Sequence, residues 1–128
     1  MPCPCSSGSS YRACCLRWHE GSSAPDAEKL MRSRYCAYVF KLDAYLLATW
    51  HASTRPTQLE LFDSAVSAAP IFIGLEVRQH TVTGPTTATV EFVAHYKMGG
   101  RAQRMRELSR FVFENGEWFY LDGDIGTC

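Results

Sequence analysis

The stretch Phe111-Val112-Phe113-Glu114-Asn115-Gly116-Glu117-Trp118-Phe119-Tyr120 decides the fold that we predict for this chain. Asn-Gly between two alternating aromatic segments is a strong signal for a two-residue hairpin turn. The turn pairs Phe113 with Trp118 and Phe111 with Tyr120, and the same register continues to Ser109 opposite Asp122. One face of the hairpin is aromatic, as expected for a sheet that covers a core on one side.

Two further turns extend the hairpin into a meander. Gly99-Gly100 pairs Phe92 with Glu107, and a loop over residues 83–86 pairs Val77 with Phe92. The strands are predicted at residues 71–82, 86–98, 101–114 and 117–124. The three registers agree on one apolar face, and a slip of one residue would invert a strand. That face carries Ile71, Ile73, Leu75, Val77, Ala88, Val90, Phe92, Ala94, Tyr96, Met105, Phe111, Phe113, Trp118 and Tyr120. Residues 101–108 alternate poorly, so a bulge is expected there.

Helices are expected before the sheet. Asp26 is a good N-cap for an amphipathic helix that ends near Thr49 and is broken at Asp43. A further helix is predicted between Pro56 and Pro70. Helices on one face of a four-stranded antiparallel meander make an α+β fold.

Four cysteines near the N-terminus form a candidate metal site. Cys3 and Cys5 form a C-x-C pair, and the adjacent Cys14 and Cys15 follow after a Ser/Gly-rich loop. Four thiolates close a tetrahedral zinc shell, so the zinc is expected to be structural. Disulfides and free thiols are the alternatives, although C-x-C and vicinal bridges are strained. His19 is an alternative fourth ligand in place of Cys15.

The segment CPCSSGSSYRACC at residues 3–15 resembles the SEC-C motif, the small zinc-binding element named after the C-terminus of the SecA translocation ATPase. The segments LMRSRYCA at 30–37 and TWH at 49–51 are similar to the YchJ-like proteins, which couple SEC-C motifs to an NTF2-like domain. The resemblance implies a SEC-C knuckle at 1–19, a linker at 20–25 and a curved NTF2-like domain at 26–128.

Two departures from the SEC-C pattern accompany this resemblance. Ser6 stands where the motif usually has glycine, so the turn after Cys5 is expected to be slightly strained. The chain ends at Cys128 without the second, C-terminal SEC-C motif that many relatives carry. The SecA version of the motif contacts the export chaperone SecB and lipid surfaces, so the resemblance implies a protein partner for this chain.

Composition bounds the remaining function classes. The chain has 128 residues, 13 basic and 13 acidic, and 46% of its residues are hydrophobic, which suits one globular domain. No apolar run approaches the ~18 residues of a membrane span. The N-terminus does not look like an export signal, so six cysteines point to a reducing, cytoplasmic location. Nucleic-acid binding through the basic segment 97–110 is not favoured, because acidic side chains share its face. That charged outer face also favours a monomer.

A polar cluster interrupts the predicted apolar face. Gln79, Ser109 and Asp122 fall in one cross-strand row, with Glu107 in the next row. Buried carboxylates are costly unless they are paired. In one interpretation Glu107 forms a structural pair with Arg34 and Asp122 caps the chain near Gly123. In the others the cluster lines a ligand pocket, or its two carboxylates perform acid–base chemistry near Arg34 or His51. The pocket candidates are Arg34, Trp50, His51, Gln79, Glu107, Ser109, Tyr120 and Asp122.

Three functions compete on this evidence. The first is a zinc-bearing, non-catalytic protein-interaction module. The second is a small-molecule-binding protein or enzyme that uses the inner polar cluster. The third is nucleic-acid binding. No HExxH, GxSxG or P-loop motif is present, so catalysis is the less expected outcome, and Cys36 is interpreted as a small buried hydrophobe.

Overall fold

The computed structural model of this chain describes residues 3–56 and 71–126. Its elements are α1 (Cys15–His19), α2 (Ala27–Phe40), α3 (Asp43–Ala48), β1 (Ile71–Gly84), β2 (Thr87–Met98), β3 (Arg101–Glu114) and β4 (Glu117–Gly126). The helix predicted between Pro56 and Pro70 lies outside the described residues, apart from Pro56 itself. No helix in the described ranges is long and apolar enough to cross a membrane.

Residues 27–48 confirm the predicted helix after Asp26 and its interruption just before Asp43, where α3 begins. The Asp26 carboxylate accepts a hydrogen bond of 2.7 Å from the Lys29 backbone N–H, which satisfies an otherwise unpaired donor of the first turn. Lys41 follows α2 in the left-handed conformation, with φ of 59°, and this residue stops the helix. α3 begins two residues later.

The sheet confirms the predicted four-stranded antiparallel meander, in the order β1-β2-β3-β4. Phe113 pairs with Trp118 and Phe111 with Tyr120, as the hairpin turn predicts. The pairing of β2 with β3 runs without a register shift from Thr87 to Met98. The expected bulge in residues 101–108 is therefore wrong for that pairing. The bulges lie elsewhere, and they move side chains between the two faces.

One bulge turns Asp122 out of the inner face. β4 pairs Phe111 with Tyr120 and then Arg110 with Asp122, so Leu121 is an extra residue on its strand. An extra residue reverses the alternation beyond it. Asp122 therefore lies beside Arg110, and Gly123 takes the predicted place opposite Ser109. The inner-face assignment of Asp122 is wrong.

Bulges in β1 have the same effect on two other predictions. Val77 pairs with Phe92 but Gln79 pairs with Glu91, so Gln79 leaves the inner face and is exposed. Nearer the start of β1, Phe72 pairs with Tyr96 and packs against the core. Its neighbours Ile71 and Ile73 were predicted on the apolar face but are 65% and 53% exposed.

The N-terminal knuckle, defined here as residues 3–19, shares one core with the α+β domain. α2 contacts α1 and three of the four strands. The buried members of this core are Cys3, Cys5, Cys14, Cys15, Ala27, Leu30, Met31, Tyr35, Cys36, Leu75, Ala88, Val90, Phe92, Ala94 and Phe111. The segment after α3 also joins the sheet, because Tyr120 N–H donates to the Thr49 carbonyl at 2.8 Å. That contact covers part of the edge strand β4.

Candidate functional site: a thiol cluster and a cavity beside it

The structure brings the four predicted cysteines together. The Sγ atoms of Cys3, Cys5, Cys14 and Cys15 all lie within 4.8 Å of one another, and all four residues are buried. Sγ of Cys14 is 3.6 Å from that of Cys5 and 3.8 Å from that of Cys15. Zinc–sulfur bonds of about 2.3 Å place the sulfur atoms of a tetrahedral site about 3.8 Å apart. The spacing of these thiols fits a zinc ion.

The backbone of the knuckle turns back on itself to place these thiols. Ser6 has φ of 63° and Gly8 has φ of 90°. The Cys3 N–H donates to the Ser9 carbonyl at 2.9 Å, which closes the loop between the two cysteine pairs. Ser6 adopts the left-handed conformation that glycine takes more readily, so the strain expected after Cys5 is present. Its hydroxyl offsets part of that cost, because it accepts a hydrogen bond of 3.2 Å from the Leu75 N–H.

A fifth thiol lies against the cluster. Cys36 of α2 is fully buried, and its Sγ is 3.3 Å from Sγ of Cys3. The prediction that Cys36 is a small buried hydrophobe is therefore incomplete, because it leaves out this contact with the Cys3 thiol. A thiol at this distance is able to donate a hydrogen bond to a metal-bound thiolate, which is a common way of tuning a metal site.

Two guanidinium groups bring positive charge to the cluster. Arg32 Nη1 donates to the Cys5 carbonyl at 2.7 Å, and Arg17 Nε donates to the Cys14 carbonyl at 3.2 Å. Hydrogen bonds from the neighbouring Cys15 and Cys36 thiols lower the pKa of Cys5, while the same sharing of protons raises the pKa of Cys15. Burial raises the pKa of Cys14 as well, so Cys5 is the thiol of these three that most readily becomes a thiolate, the form that binds metal.

His19 is not placed to replace Cys15 as a ligand. Its Nε2 lies 2.8 Å from the Ser33 carbonyl, which only accepts, so Nε2 carries the proton. Its Nδ1 then accepts a hydrogen bond of 2.7 Å from the Tyr11 hydroxyl. Both ring nitrogens are engaged away from the thiols. Burial lowers the pKa of His19, which is consistent with this neutral, doubly bonded ring.

A cavity of about 420 Å³ lies between α2 and the inner face of the sheet. Its aromatic walls are Tyr35, Tyr38, Phe72, Phe92, Tyr96, Phe111 and Tyr120. Met31, Ala94, Met98, Met105 and Ile125 add sulfur and aliphatic surface. Met98 and Ile125 are 40% and 69% exposed, which marks the mouth of the cavity. Such an apolar volume with a few convergent polar groups is typical of a small-molecule site.

Arg34 is the cationic group of the cavity and is only 5% exposed. Its Nη1 donates to the Leu46 carbonyl at 2.8 Å and to the Thr49 hydroxyl at 2.6 Å. The guanidinium carbon lies 4.6 Å from the ring centre of Tyr120 and 5.2 Å from that of Trp50. Burial lowers the pKa of Arg34, since desolvation penalises the charged form.

Glu107 and Ser109 form the polar part of the opposite wall. The Ser109 hydroxyl donates to Glu107 Oε2, and the Tyr120 hydroxyl donates to the same oxygen at 3.4 Å. Gly123 allows this arrangement, because a Cβ there would lie 2.5 Å from Glu107 Oε2. Burial, and then the charge of Glu107, raise the pKa of Tyr120, so its hydroxyl stays protonated and able to donate. The expected pair between Arg34 and Glu107 does not form within the 4.0 Å of a salt bridge.

Of the eight predicted pocket residues, four line the cavity: Arg34, Glu107, Ser109 and Tyr120. The other four do not. Trp50 stacks behind Arg34 and contacts the Tyr120 ring edge. His51 lies 2.9 Å from the Glu114 carboxylate, at the turn between β3 and β4. Gln79 and Asp122 are turned to the outer face by the bulges, and Asp122 binds Arg110 at 2.5 Å.

Sequence reasoning missed three contributors to these two sites. Tyr38 lines the cavity, whereas its helical spacing showed only that it lies on an apolar face. Arg32 donates to the Cys5 carbonyl and so holds the knuckle, whereas its place in the sequence does not distinguish it from an ordinary solvated charge. Cys36 is the clearest case. Its one signal was that it is a further cysteine in a chain with four cysteines near the N-terminus, and nothing in the spacing placed it within reach of them.

The basic segment 97–110 carries ion pairs on the described sheet. Arg106 lies 3.5 Å from a Glu91 carboxylate oxygen. Arg110 binds Asp122 at 2.5 Å and Asp124 at 2.8 Å. These acidic partners offset the positive charge of Arg106 and Arg110, which phosphate groups would otherwise contact.

Comparison with known proteins gives one consistent result. Residues 26–123 match the model of the family "YchJ, middle NTF2-like domain". A UPF0225 protein of Methylibium petroleiphilum is 54% identical over 127 residues, covering 98% of this chain and 89% of that protein. A UPF0225 protein of Xanthomonas campestris is 50% identical over 122 residues, covering 94% of this chain and 92% of that protein.

Two solved structures are similar over nearly the whole chain. One is the solution structure of a SEC-C motif-containing protein from Rhodopseudomonas palustris, with a TM-score of 0.80 and 33% identity, covering 97% of this chain and 98% of that one. The other is the crystal structure of a SEC-C motif-containing protein from Psychrobacter arcticus, with a TM-score of 0.77 and 30% identity, covering 98% and 83%.

Proposed function

This chain belongs to the YchJ family of NTF2-like proteins with a SEC-C motif, and from that premise we propose that it is a small-molecule-binding protein whose ligand cavity is held in shape by a structural zinc knuckle. The cavity of about 420 Å³ between α2 and the sheet carries this proposal. The cavity opens to solvent beside Met98 and Ile125, so a ligand has a path into its apolar interior. Small-molecule sites have this size and this apolar lining.

We assign the metal to Cys3, Cys5, Cys14 and Cys15. Two of their Sγ–Sγ distances, 3.6 Å and 3.8 Å, match the edge of a tetrahedral zinc–sulfur site, and all four sulfur atoms lie within 4.8 Å of one another. Hydrogen bonds to Cys5 favour the thiolate form of that residue. Four protein ligands leave no coordination position for a substrate, so the zinc would supply folding energy and not catalysis. A zinc–thiolate site persists in a reducing compartment, which supports the predicted cytoplasmic location.

The knuckle supports the cavity through α2. Cys36 contacts the thiol cluster from one face of that helix, while Met31, Arg34 and Tyr35 of the same helix line the cavity. Arg32, also in α2, binds the Cys5 carbonyl. Loss of the metal is therefore expected to loosen the helix that forms one wall of the ligand site. A protein-interaction role of the knuckle remains a second proposal, and it would have to use the faces of the knuckle that α2 does not cover.

The proposal is tested by a ligand screen on the zinc-loaded full chain, read by thermal shift and by amide chemical shifts. Ala94 lines the cavity and is buried, so Ala94→Leu places three additional carbons in the ligand volume. Ala102→Leu is the matched control, because Ala102 is exposed on the neighbouring strand and does not line the cavity. We expect hits that shift cavity residues and lose affinity in Ala94→Leu but not in Ala102→Leu.

Two results would argue against a ligand-binding function. One is the absence of any hit that perturbs cavity residues in the wild-type protein. The other is a set of hits whose affinity is the same in Ala94→Leu, which would place them elsewhere on the surface. Capture of a protein partner that is lost in Cys14→Ser, with the fold retained, would instead support the interaction role.

A further inference from the structure

The charge of Arg34 is buried without an anionic partner in the described part of the chain. The residue is 5% exposed, and no carboxylate of residues 3–56 or 71–126 lies within salt-bridge distance of its guanidinium. Its hydrogen-bond partners are neutral, namely the Leu46 carbonyl, the Thr49 hydroxyl and the Tyr38 hydroxyl. Arginine stays protonated in proteins, so the site carries a full positive charge in an apolar setting.

Such a charge is costly unless an anion compensates it. An uncompensated buried ion loses its hydration, and hydrogen bonds to neutral groups recover only part of that loss. The aromatic faces of Tyr120 and Trp50 offer weaker compensation at 4.6 Å and 5.2 Å. A planar guanidinium is also well matched to a planar carboxylate, which it binds through two parallel hydrogen bonds.

Among the described residues that line the cavity, the carboxylate is that of Glu107, and other groups hold it. Glu107 stands on β3, on the wall opposite α2, and its Oε2 accepts hydrogen bonds from Ser109 and Tyr120. The cavity thus separates a cation on the helix from an anion on the sheet. A ligand with one negative group at the helix side compensates Arg34, whereas a second negative group on the sheet side would be repelled by Glu107.

We propose that the cavity binds a small apolar monocarboxylate, with its carboxylate on Arg34 and its hydrocarbon part against the aromatic and methionine walls. This inference rests on the proposed ligand-binding function and names the chemical class of the ligand. The mouth beside Met98 and Ile125 admits the ligand. Glu107 selects against dicarboxylates.

The test uses zinc-loaded full-length protein and compares probes with no carboxylate, one carboxylate and two carboxylates. Hexanoate and 3-phenylpropionate are titrated beside their primary amides and beside adipate, with calorimetry and amide chemical shifts as readouts. We expect each monocarboxylate to bind at least tenfold more tightly than its amide and than adipate. Arg34→Met should remove this preference, and Glu107→Gln should reduce the discrimination against adipate.

Arg104→Met is the matched control, because Arg104 is exposed on β3, pairs with His95 in the register, and does not line the cavity. It should leave the preference for carboxylates unchanged. If Arg34→Met does not fold, a carboxyl-¹³C-labelled probe bound to the wild-type protein gives an independent readout. Its carboxyl group should stay ionised to lower pH than in the free acid, since the guanidinium stabilises the charged form.

The outcomes separate this inference from the broader function. Amides and carboxylates that bind the cavity with equal affinity would overturn the monocarboxylate assignment and leave ligand binding intact. An unchanged preference in Arg34→Met would overturn the assignment as well. If no probe and no compound of the wider screen binds in the cavity, both the monocarboxylate assignment and the proposed ligand-binding function are wrong.

Discussion

Sγ of Cys36 lies 3.3 Å from Sγ of Cys3, although 33 residues separate them in the sequence. This contact joins the N-terminal knuckle to α2, and α2 in turn forms one wall of the cavity. The thiol cluster and the cavity therefore belong to one packed unit, and a change at either site is expected to affect the other through α2.

The first prediction concerns which thiols hold the metal. We expect about one zinc per chain, lost in Cys3→Ala and Cys14→Ala and retained in Cys36→Ala, because the first two thiols belong to the proposed ligand set and Cys36 does not. Cys36→Ala should speed zinc release to a chelator roughly tenfold or more, since a hydrogen bond to a ligand thiolate is removed. Elemental analysis gives the stoichiometry, and a colorimetric chelator assay gives the release rate.

Cys36→Ser is the matched control for that rate, because its hydroxyl keeps a donor near Cys3 in a side chain of similar shape. Release from Cys36→Ser should be slower than from Cys36→Ala. If Cys36→Ala loses its zinc while Cys14→Ala keeps it, the ligand set is instead Cys3, Cys5, Cys15 and Cys36.

The second prediction concerns Asp122 and Glu107, the two carboxylates that the sequence predicts on one face of the sheet. Asp122→Asn should leave ligand binding unchanged, because Asp122 faces Arg110 on the outer surface. Its effect on stability should be small and should fade with added salt, as for other exposed ion pairs. Glu107→Gln should alter ligand selectivity with the fold intact. Calorimetric titration of both variants with one cavity ligand gives the comparison, and an altered affinity in Asp122→Asn would contradict the bulge in β4.

The third prediction concerns the strained turn at Ser6. Ser6→Gly relieves a left-handed residue but removes the hydrogen bond that its hydroxyl accepts from Leu75, and each effect is worth about 1 kcal/mol. The free energy of unfolding should therefore change by less than ~1 kcal/mol. Ser6→Ala loses the hydrogen bond and keeps the strain, so it should be destabilised by about 1 kcal/mol.

Denaturant unfolding of the zinc-loaded variants measures both changes at Ser6. The informative quantity is the difference between the two variants, because each lacks the hydroxyl. A Ser6→Ala variant as stable as Ser6→Gly would show that the backbone conformation at residue 6 carries no strain.

The fourth prediction concerns pH. Burial lowers the pKa of His19 below its usual value of about 6.5. His19 therefore takes up a proton at a higher pH in the unfolded chain than in the folded chain. Stability should be constant above about pH 6.5 and should fall as the pH decreases from there towards the folded-state pKa. His19→Gln should flatten this part of the profile.

Unfolding curves at a series of pH values test this on zinc-loaded protein, with metal content checked at each pH. A ¹³C–¹H titration of the His19 ring gives the folded-state pKa directly. A midpoint at or above 6.5 would contradict the neutral ring that bonds to Tyr11 and Ser33 in this structure.

Much of the fold was open to prediction because its signals are local. Asn115-Gly116 and Gly99-Gly100 set the pairing of three strands, and the Asp26 side chain caps the start of α2. The bulges in β1 and β4 were not predictable in the same way. An extra residue on one strand leaves the local alternation almost unchanged, and it is decided by which side chains pack on α2 and which reach charged partners.

The sequence by itself determined the class of fold, the family resemblance and the four cysteines that gather in the knuckle, because turn chemistry and metal-ligand spacing act over a few residues. Only the tertiary structure decided that Cys36 joins that cluster, that Asp122 and Gln79 leave the inner face, and that Arg34 and Glu107 stand apart. Those relationships join residues distant in the chain, and they depend on how α2 lies between the knuckle and the sheet. The packing of that one helix sets both the thiol cluster and the charge pattern of the cavity.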